Sequence, residues 1–323
     1  MTVNLFNGDA ECCGAVTSGG SESLILAVDV YKRWGLKHKG ITEPNIVAPE
    51  SIHVGVEKGC YYMGVQLRKV SLDRNYRTSA AALEAAIDSN TVALFCSAPD
   101  FSLGRMDPIT EIASLAASRG VGCHVDSCMG GFIIPFMREK GLKLKEEFDF
   151  KVPGVTSISA DAHKYGNGPK GLSILMYRTF ELRRFQFYQK NDWPGGLYMT
   201  TGLHGSRTAT SSIGTWAVMM QWGRRGYAEQ TWKCVTAARR IAKEISEIPE
   251  VELVLPIDEI ITAVTITSKR FNPHYLSEAM KEDGWRLLSV AKPRGVVFQT
   301  SLLTLKAIDS FIGDLKKAIA KIM

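Results

Sequence analysis

The sequence predicts an α/β protein, a mostly parallel sheet flanked by helices and followed by a smaller C-terminal α+β domain. Three observations carry that expectation. At 323 residues and 45% hydrophobic content, the chain can fill a large core and an appendage besides. Short apolar runs alternate with amphipathic stretches through the first part of the chain, the pattern of strands and helices in turn. Beyond Gly205 that alternation gives way to two long helical stretches and then shorter mixed elements, which puts a domain boundary near residue 225 and divides the chain into 1–225 and 226–323.

In chain order, the amphipathic run Ser21–Trp34 is read as the first helix, with strands at Asn45–Ala48 and Gln66–Leu72. A helix at Ser79–Ser89 precedes a strand at Val92–Ser97, and a helix at Pro108–Arg119 precedes one at Gly122–Val125. Strands at Ser157–Ala160 and Leu172–Tyr177 complete the sheet, whose ligands are expected at the carboxyl ends of its strands. The second part reads as helices at Ser211–Arg224 and Ala228–Glu247 and strands at Val251–Leu255 and Ala263–Thr267. A helix at Pro273–Glu282, a strand at Val296–Thr300 and a closing helix at Leu305–Lys321 follow.

The formal charge of +6 is spread over short pieces such as Lys37-His38-Lys39, Arg183-Arg184, Arg239-Arg240 and Lys316-Lys317, which read as solvated faces. No nucleic-acid surface is expected from them, although a mild positive field favours an anionic substrate. Seven cysteines without paired C-x-x-C spacing argue for a reduced, cytoplasmic protein with no structural metal. No run approaches the roughly 20 apolar residues that cross a bilayer, and no secretory leader opens the chain, so a membrane span is not expected.

Three segments carry chemistry. In Thr17-Ser18-Gly19-Gly20-Ser21-Glu22-Ser23, two glycines let backbone N–H groups approach an anion at a helix start, and Ser21 is placed to cap that helix. By itself this is equally a plain capped turn. In Cys123-His124-Val125-Asp126-Ser127, a carboxylate ends an apolar strand, suited to a cationic ring nitrogen or to a cap. In Ser157-Ile158-Ser159-Ala160-Asp161-Ala162-His163-Lys164-Tyr165-Gly166, a lysine at a strand end can form a Schiff base once burial or nearby cations lower its pKa. Cradle, acid and lysine in that order are the three protein groups that pyridoxal 5′-phosphate (PLP) needs.

These segments, with Asp192-Trp193-Pro194-Gly195-Gly196-Leu197-Tyr198 and Gly205-Ser206-Arg207, resemble the signature blocks of the sphingosine-1-phosphate lyase family from about Leu5 onward. The resemblance implies fold-type I architecture and a PLP-dependent carbon–carbon lyase. Such an enzyme cleaves a phosphorylated long-chain base to a long-chain aldehyde and ethanolamine phosphate. It also implies that Lys164 carries PLP, that Asp126 pairs with the pyridine nitrogen and that His53 stacks on the ring. Gly20, Ser21 and His163 would hold the cofactor phosphate, helped by Ser206 from the second subunit of a homodimer. Lys170 would meet the substrate phosphate, and Tyr165 or Lys164 itself would take the hydroxyl proton.

Departures from the family pattern are Ser21 for threonine, Asn167 for a second tyrosine, Thr208-Ala209 for Pro-Gly, and the loop Pro99–Gly104. The chain also begins just before the cradle, without the segment through which eukaryotic members of the family are anchored to the endoplasmic reticulum. The readings left beside the lyase are a PLP-dependent amino-acid decarboxylase and a catalytically silent partner protein of the same fold.

Overall fold

The structure, a computed structural model, describes residues 1–323 and divides into two compact units. The first comprises Met1–Asp100, Met106–Pro135 and Glu146–Gly223, and the second Phe101–Arg105, Phe136–Lys145 and Arg224–Met323.

In the first unit, α1 (Thr2–Leu5) and β1 (Cys13–Thr17) lead into α2 (Gly20–Lys39), β2 (Asn45–Pro49), α3 (Val54–Met63) and β3 (Gln66–Val70). Then come α4 (Ala80–Glu84), β4 (Thr91–Ser97), α5 (Ile109–Ser118), β5 (Gly122–Asp126) and the short turn α6 (Ile134–Met137). The unit continues with β6 (Ser157–Ala160), β7 (Ser173–Tyr177), α7 (Phe180–Arg183) and the hairpin β8 (Tyr188–Trp193) and β9 (Gly196–Thr200). Its seven-stranded sheet has the order β1-β7-β6-β5-β4-β2-β3, and only β7 runs against its neighbours. Every residue of β2, β4, β5 and β6 is buried, as inner strands covered on both faces must be.

Helix α2 ends on Lys37-His38-Lys39, with Gly40 at φ 67°, a C-terminal stop that complements the helix dipole. Its face buries Leu24, Ala27, Val28 and Tyr31 against the sheet. Gly122 makes that approach possible: a Cβ there would lie 2.1 Å from Tyr31 Cε1. The Tyr31 hydroxyl then reaches Thr156 Oγ1 at 2.7 Å and Ser157 Oγ at 2.6 Å.

Helix α8 (Thr210–Ser246) contains both helices expected between residues 211 and 247, broken at Gly223, whose φ of 55° and ψ of −176° are open to glycine alone. In the second unit, β10 (Glu252–Leu253), β11 (Ala263–Thr267), β12 (Leu288–Ala291) and β13 (Arg294–Gln299) form an antiparallel sheet in the order β10-β11-β13-β12. With α9 (His274–Glu282) and α10 (Ile308–Ile322) they enclose Ile241, Leu276, Phe298, Phe311 and Leu315, the Phe298 and Phe311 rings stacked at 4.0 Å. The two early segments are tied in by a Thr265 hydroxyl donating to Leu103 O at 3.2 Å and by an Arg105–Glu259 ion pair at 2.7 Å, both side chains largely buried. No helix is long and apolar enough to cross a membrane.

The mostly parallel sheet flanked by helices agrees with the sequence expectation. Strands β1 and β12, helix α3 and the β8–β9 hairpin were not anticipated, and α4 is shorter than the expected Ser79–Ser89.

Candidate functional site

The first component is the turn from β1 into α2. Gly19 takes φ 156° and ψ 170°, a region essentially reserved for glycine. It is the N-cap residue, and no side chain caps the helix, so the capping role expected of Ser21 is not what is observed: Ser21 lies inside the first turn and is exposed. Glu22 instead secures the turn that precedes the helix, its Oε2 accepting from the Ser18 N–H at 2.6 Å. The N–H groups of Gly20 and Ser21 have no acceptor within the chain, which leaves the positive end of a 20-residue helix open to an anion. A hydroxyl chain from Thr17 through Ser23 to Ser173 fixes this turn to β7, with distances of 2.7 and 3.0 Å.

The second component follows β6. Lys164 Nζ lies 3.0 Å from Asp161 Oδ2, and His163 Nε2 lies 3.6 Å from the same oxygen. Burial of Lys164 is the largest influence on its pKa and draws it down, but the charge and hydrogen bond of Asp161, with the more distant charge of Asp126, outweigh that and leave it above the ordinary value. His163 donates from Nδ1 to the Leu172 carbonyl at 2.7 Å, which fixes its ring. A Cβ at Gly19 would sit 3.7 Å from His163 Cε1, and one at Gly20 would meet Asp161 Oδ1 and Cys128 Sγ, each at 2.9 Å. Glycine at position 20 is thus what lets the helix start close on the Asp161–Lys164 pair.

The third component is Asp126 at the end of β5. Its Oδ1 accepts from the Cys128 N–H at 3.0 Å and the Ser159 hydroxyl at 3.3 Å, whereas Oδ2 takes part in neither bond. Ser159 is its cross-strand partner on β6, so sheet register brings the acid to the lysine's strand.

The structure therefore gathers Gly20, Asp126, His163 and Lys164 into one cluster, with Ser21 at its edge. Tyr165 is buried immediately beside it. His53 caps α3, its Nδ1 accepting from the Gly55 N–H at 3.0 Å. Lys170 is exposed, its carbonyl accepting from Ser211 Oγ at 3.2 Å, and Ser206 is exposed on the loop after β9. Asn167 stands at φ 55°, a left-handed conformation asparagine tolerates, and its Nδ2 donates to the Tyr165 carbonyl at 3.1 Å.

Five residues of the site escaped the sequence reading. Asp161 carried a usable signal, an acid three residues before a lysine at a strand end. Glu22 and Cys128 were visible only through their contacts at the Gly20 turn, and the His124–Ser159 pair only through a contact between neighbouring strands.

The cluster fits PLP on its own chemistry. It offers an amine for the aldehyde, a carboxylate with one uncommitted oxygen for the ring nitrogen, and open amide N–H groups for the phosphate. Asp161 Oδ1 is buried without a hydrogen-bond partner, a polar atom left facing the same place.

Residues 3–269 match the family model described as the pyridoxal-dependent decarboxylase conserved domain. The chain is similar to sphingosine-1-phosphate lyase 1 of Rattus norvegicus, 39% identical over 325 aligned residues that take in 100% of this chain and 57% of the rat protein. It is 38% identical to sphingosine-1-phosphate lyase of Saccharomyces cerevisiae, over 100% of this chain and 55% of that one. It thus spans little more than half the length of these curated relatives. Among solved structures, a sphingosine-1-phosphate lyase of Burkholderia pseudomallei superposes with a TM-score of 0.95 at 32% identity, covering 99% of this chain and 74% of that chain. A Lactobacillus brevis glutamate decarboxylase superposes with a TM-score of 0.86 at 22% identity over 99% and 78% of the two chains, a likeness of fold.

Proposed function

The chain belongs to the pyridoxal-dependent decarboxylase family, and from that membership we propose that it forms the catalytic portion of a PLP-dependent lyase acting on sphingosine 1-phosphate or a related phosphorylated long-chain base. The products are a long-chain aldehyde and ethanolamine phosphate. The observation that carries the reading is the Lys164–Asp161 pair closed against the Gly20 turn, in a chain similar along its whole length to sphingosine-1-phosphate lyases.

PLP, when bound, supplies the electron sink for the pair of electrons released from the broken carbon–carbon bond. In this proposal Lys164 Nζ is the amine that anchors it, and Asp161 Oδ2 orients that amine. Asp126 Oδ2 accepts a proton-bearing ring nitrogen in a charge-assisted bond, which favours the electron-accepting form. The N–H groups of Gly20 and Ser21, with the His163 ring, hold the phosphate, and Ser206 of a second copy completes that site. His53 covers the ring, and Lys170 meets the substrate phosphate. Lys164 and the buried Tyr165 phenol are the two groups assigned to the substrate's hydroxyl proton, and Tyr165→Phe separates them.

A homodimer is part of the proposal. Support comes from apolar side chains left exposed on the β8–β9 hairpin, Trp193, Leu197, Tyr198 and Met199, and from Ile213, Trp216 and Met220, spaced along one side of α8. Sizing by light scattering tests it, and a monomer that turns over normally would contradict it.

The deciding experiment incubates the PLP-loaded protein with a phosphorylated long-chain base and identifies the products by mass spectrometry. Aldehyde and ethanolamine phosphate in equal amounts are expected. Carbon dioxide released from an amino acid, with no aldehyde from the base, would overturn the reading.

A further inference from the structure

A line of polar side chains crosses the buried interior of the first unit and ends on Asp126. His124 on β5 is fully buried, its Nδ1 lying 2.7 Å from Ser157 Oγ and its Nε2 3.1 Å from Ser159 Oγ. Ser159 donates to Asp126 Oδ1 at 3.3 Å. At the other end, Ser157 Oγ lies 2.6 Å from the Tyr31 hydroxyl, which lies 2.7 Å from Thr156 Oγ1. Thr156 closes the line, its Oγ1 lying 3.0 Å from the Cys123 carbonyl oxygen and accepting from the Cys123 N–H at 2.8 Å.

Proton counting gives this line a direction. Each hydroxyl has one proton to donate, a neutral imidazole has one N–H, and an ionised carboxylate only accepts. The Ser159 proton goes to Asp126, so Ser159 Oγ accepts from His124 Nε2 and, at 3.6 Å, from the Cys128 thiol. His124 Nδ1 then accepts from Ser157, Ser157 accepts from Tyr31, and Tyr31 accepts from Thr156, while the Cys123 carbonyl keeps the Thr156 N–H at 2.9 Å as its donor. With the opposite tautomer, Ser159 would turn its proton to Nε2 and Asp126 Oδ1 would lose a donor. Burial holds the ring neutral, lowering its pKa to about 4, so one tautomer or the other must be present.

We propose that His124 and Ser159 are positioning residues: His124, held as the Nε2–H tautomer, orients the Ser159 hydroxyl so that it donates to Asp126 Oδ1 and leaves Oδ2 for the cofactor ring. This rests on the PLP reading of the site, but the orientation belongs to the protein itself. Both Asp126 bonds within the chain fall on Oδ1, so the line and the Cys128 N–H together fix the rotation of the carboxylate.

The test is the tautomer, read by two-bond proton–nitrogen correlation NMR of ¹⁵N-histidine-labelled protein, with and without PLP. The His124 signal is assigned by its loss in His124→Gln or, should that variant not fold, by its displacement in Ser159→Thr. A protonated Nε2 and bare Nδ1 are expected, and the converse pattern or an imidazolium overturns the proposal. Ser159→Ala is expected to move the signal towards the Nδ1–H form and to weaken PLP binding roughly tenfold, with Ser159→Thr restoring both. An Nε2–H ring in a protein that makes no aldehyde from the phosphorylated base would sink the lyase reading and leave this proposal standing. An Nδ1–H ring in an active lyase would do the reverse.

Discussion

Lys164 is held by opposing influences, burial against the charge of Asp161, and the charges prevail. In the Lys164→Ala variant no other side chain can bind the cofactor's aldehyde at this site. The expected outcome is complete loss of the visible absorbance of bound PLP and of turnover, and an unchanged spectrum would refute the assignment. His124 gives a second expectation. Burial lowers its pKa from 6.5 to about 4, so between those values the unfolded chain takes up a proton that the folded one refuses. This contribution to stability is fully present above pH 6.5 and is lost as the pH falls towards 4, by roughly 3 kcal/mol in all. Urea unfolding at pH 7 and pH 4.5 checks it: the parent should lose about 2–3 kcal/mol more than His124→Gln, and equal losses would show that the ring titrates normally. Lys164 and Asp126 were legible in the sequence because an ionisable group at the end of an apolar run is conspicuous. His124 and Ser159 were not, because their meaning lies in the register that sets His124 opposite Ser157 and Asp126 opposite Ser159.

Among the elements, α2 and β5 depend on each other through one missing side chain. Gly122→Ala would place a methyl 2.1 Å from Tyr31 Cε1, so the helix must lift or the ring must turn. Overpacking of this kind costs about 1–3 kcal/mol. A lower urea midpoint with unchanged slope is expected, and no change would mean that α2 yields freely. The inner strands could be read from sequence because burial on both faces makes them unbroken apolar runs. The exposed β8–β9 hairpin has no such contrast, and β1 mixes Cys13 and Gly14 with half-buried positions, so neither announced itself. The pair of helices within α8 was legible, yet the two are joined through Gly223 without the loop that was expected between them.

Across the whole molecule, each unit has its own apolar centre. Phe311, fully buried and stacked on Phe298, anchors the second. Phe311→Ala is expected to destabilise that unit by about 3–5 kcal/mol. Hydrogen exchange should record the change in β11, β13 and α10, and exchange quickening equally in the inner strands of the first unit would show that the two open together. The α/β architecture was legible from alternation alone, but the membership of residues 101–105 and 136–145 in the second unit was not. No local pattern marks Arg105 as the partner of Glu259.

That distant partnership sets a clock on biogenesis. Ribosomes deliver about 5–20 residues per second, so Arg105 emerges roughly 8–30 s before the Glu259 that neutralises it. During that interval the early strands can assemble, while Phe101–Arg105 and Phe136–Lys145 wait for the rest of their unit to be made. Nascent chains stalled before residue 224 should therefore be cut by protease within these two segments, and chains in which residues 224–323 have also emerged should resist.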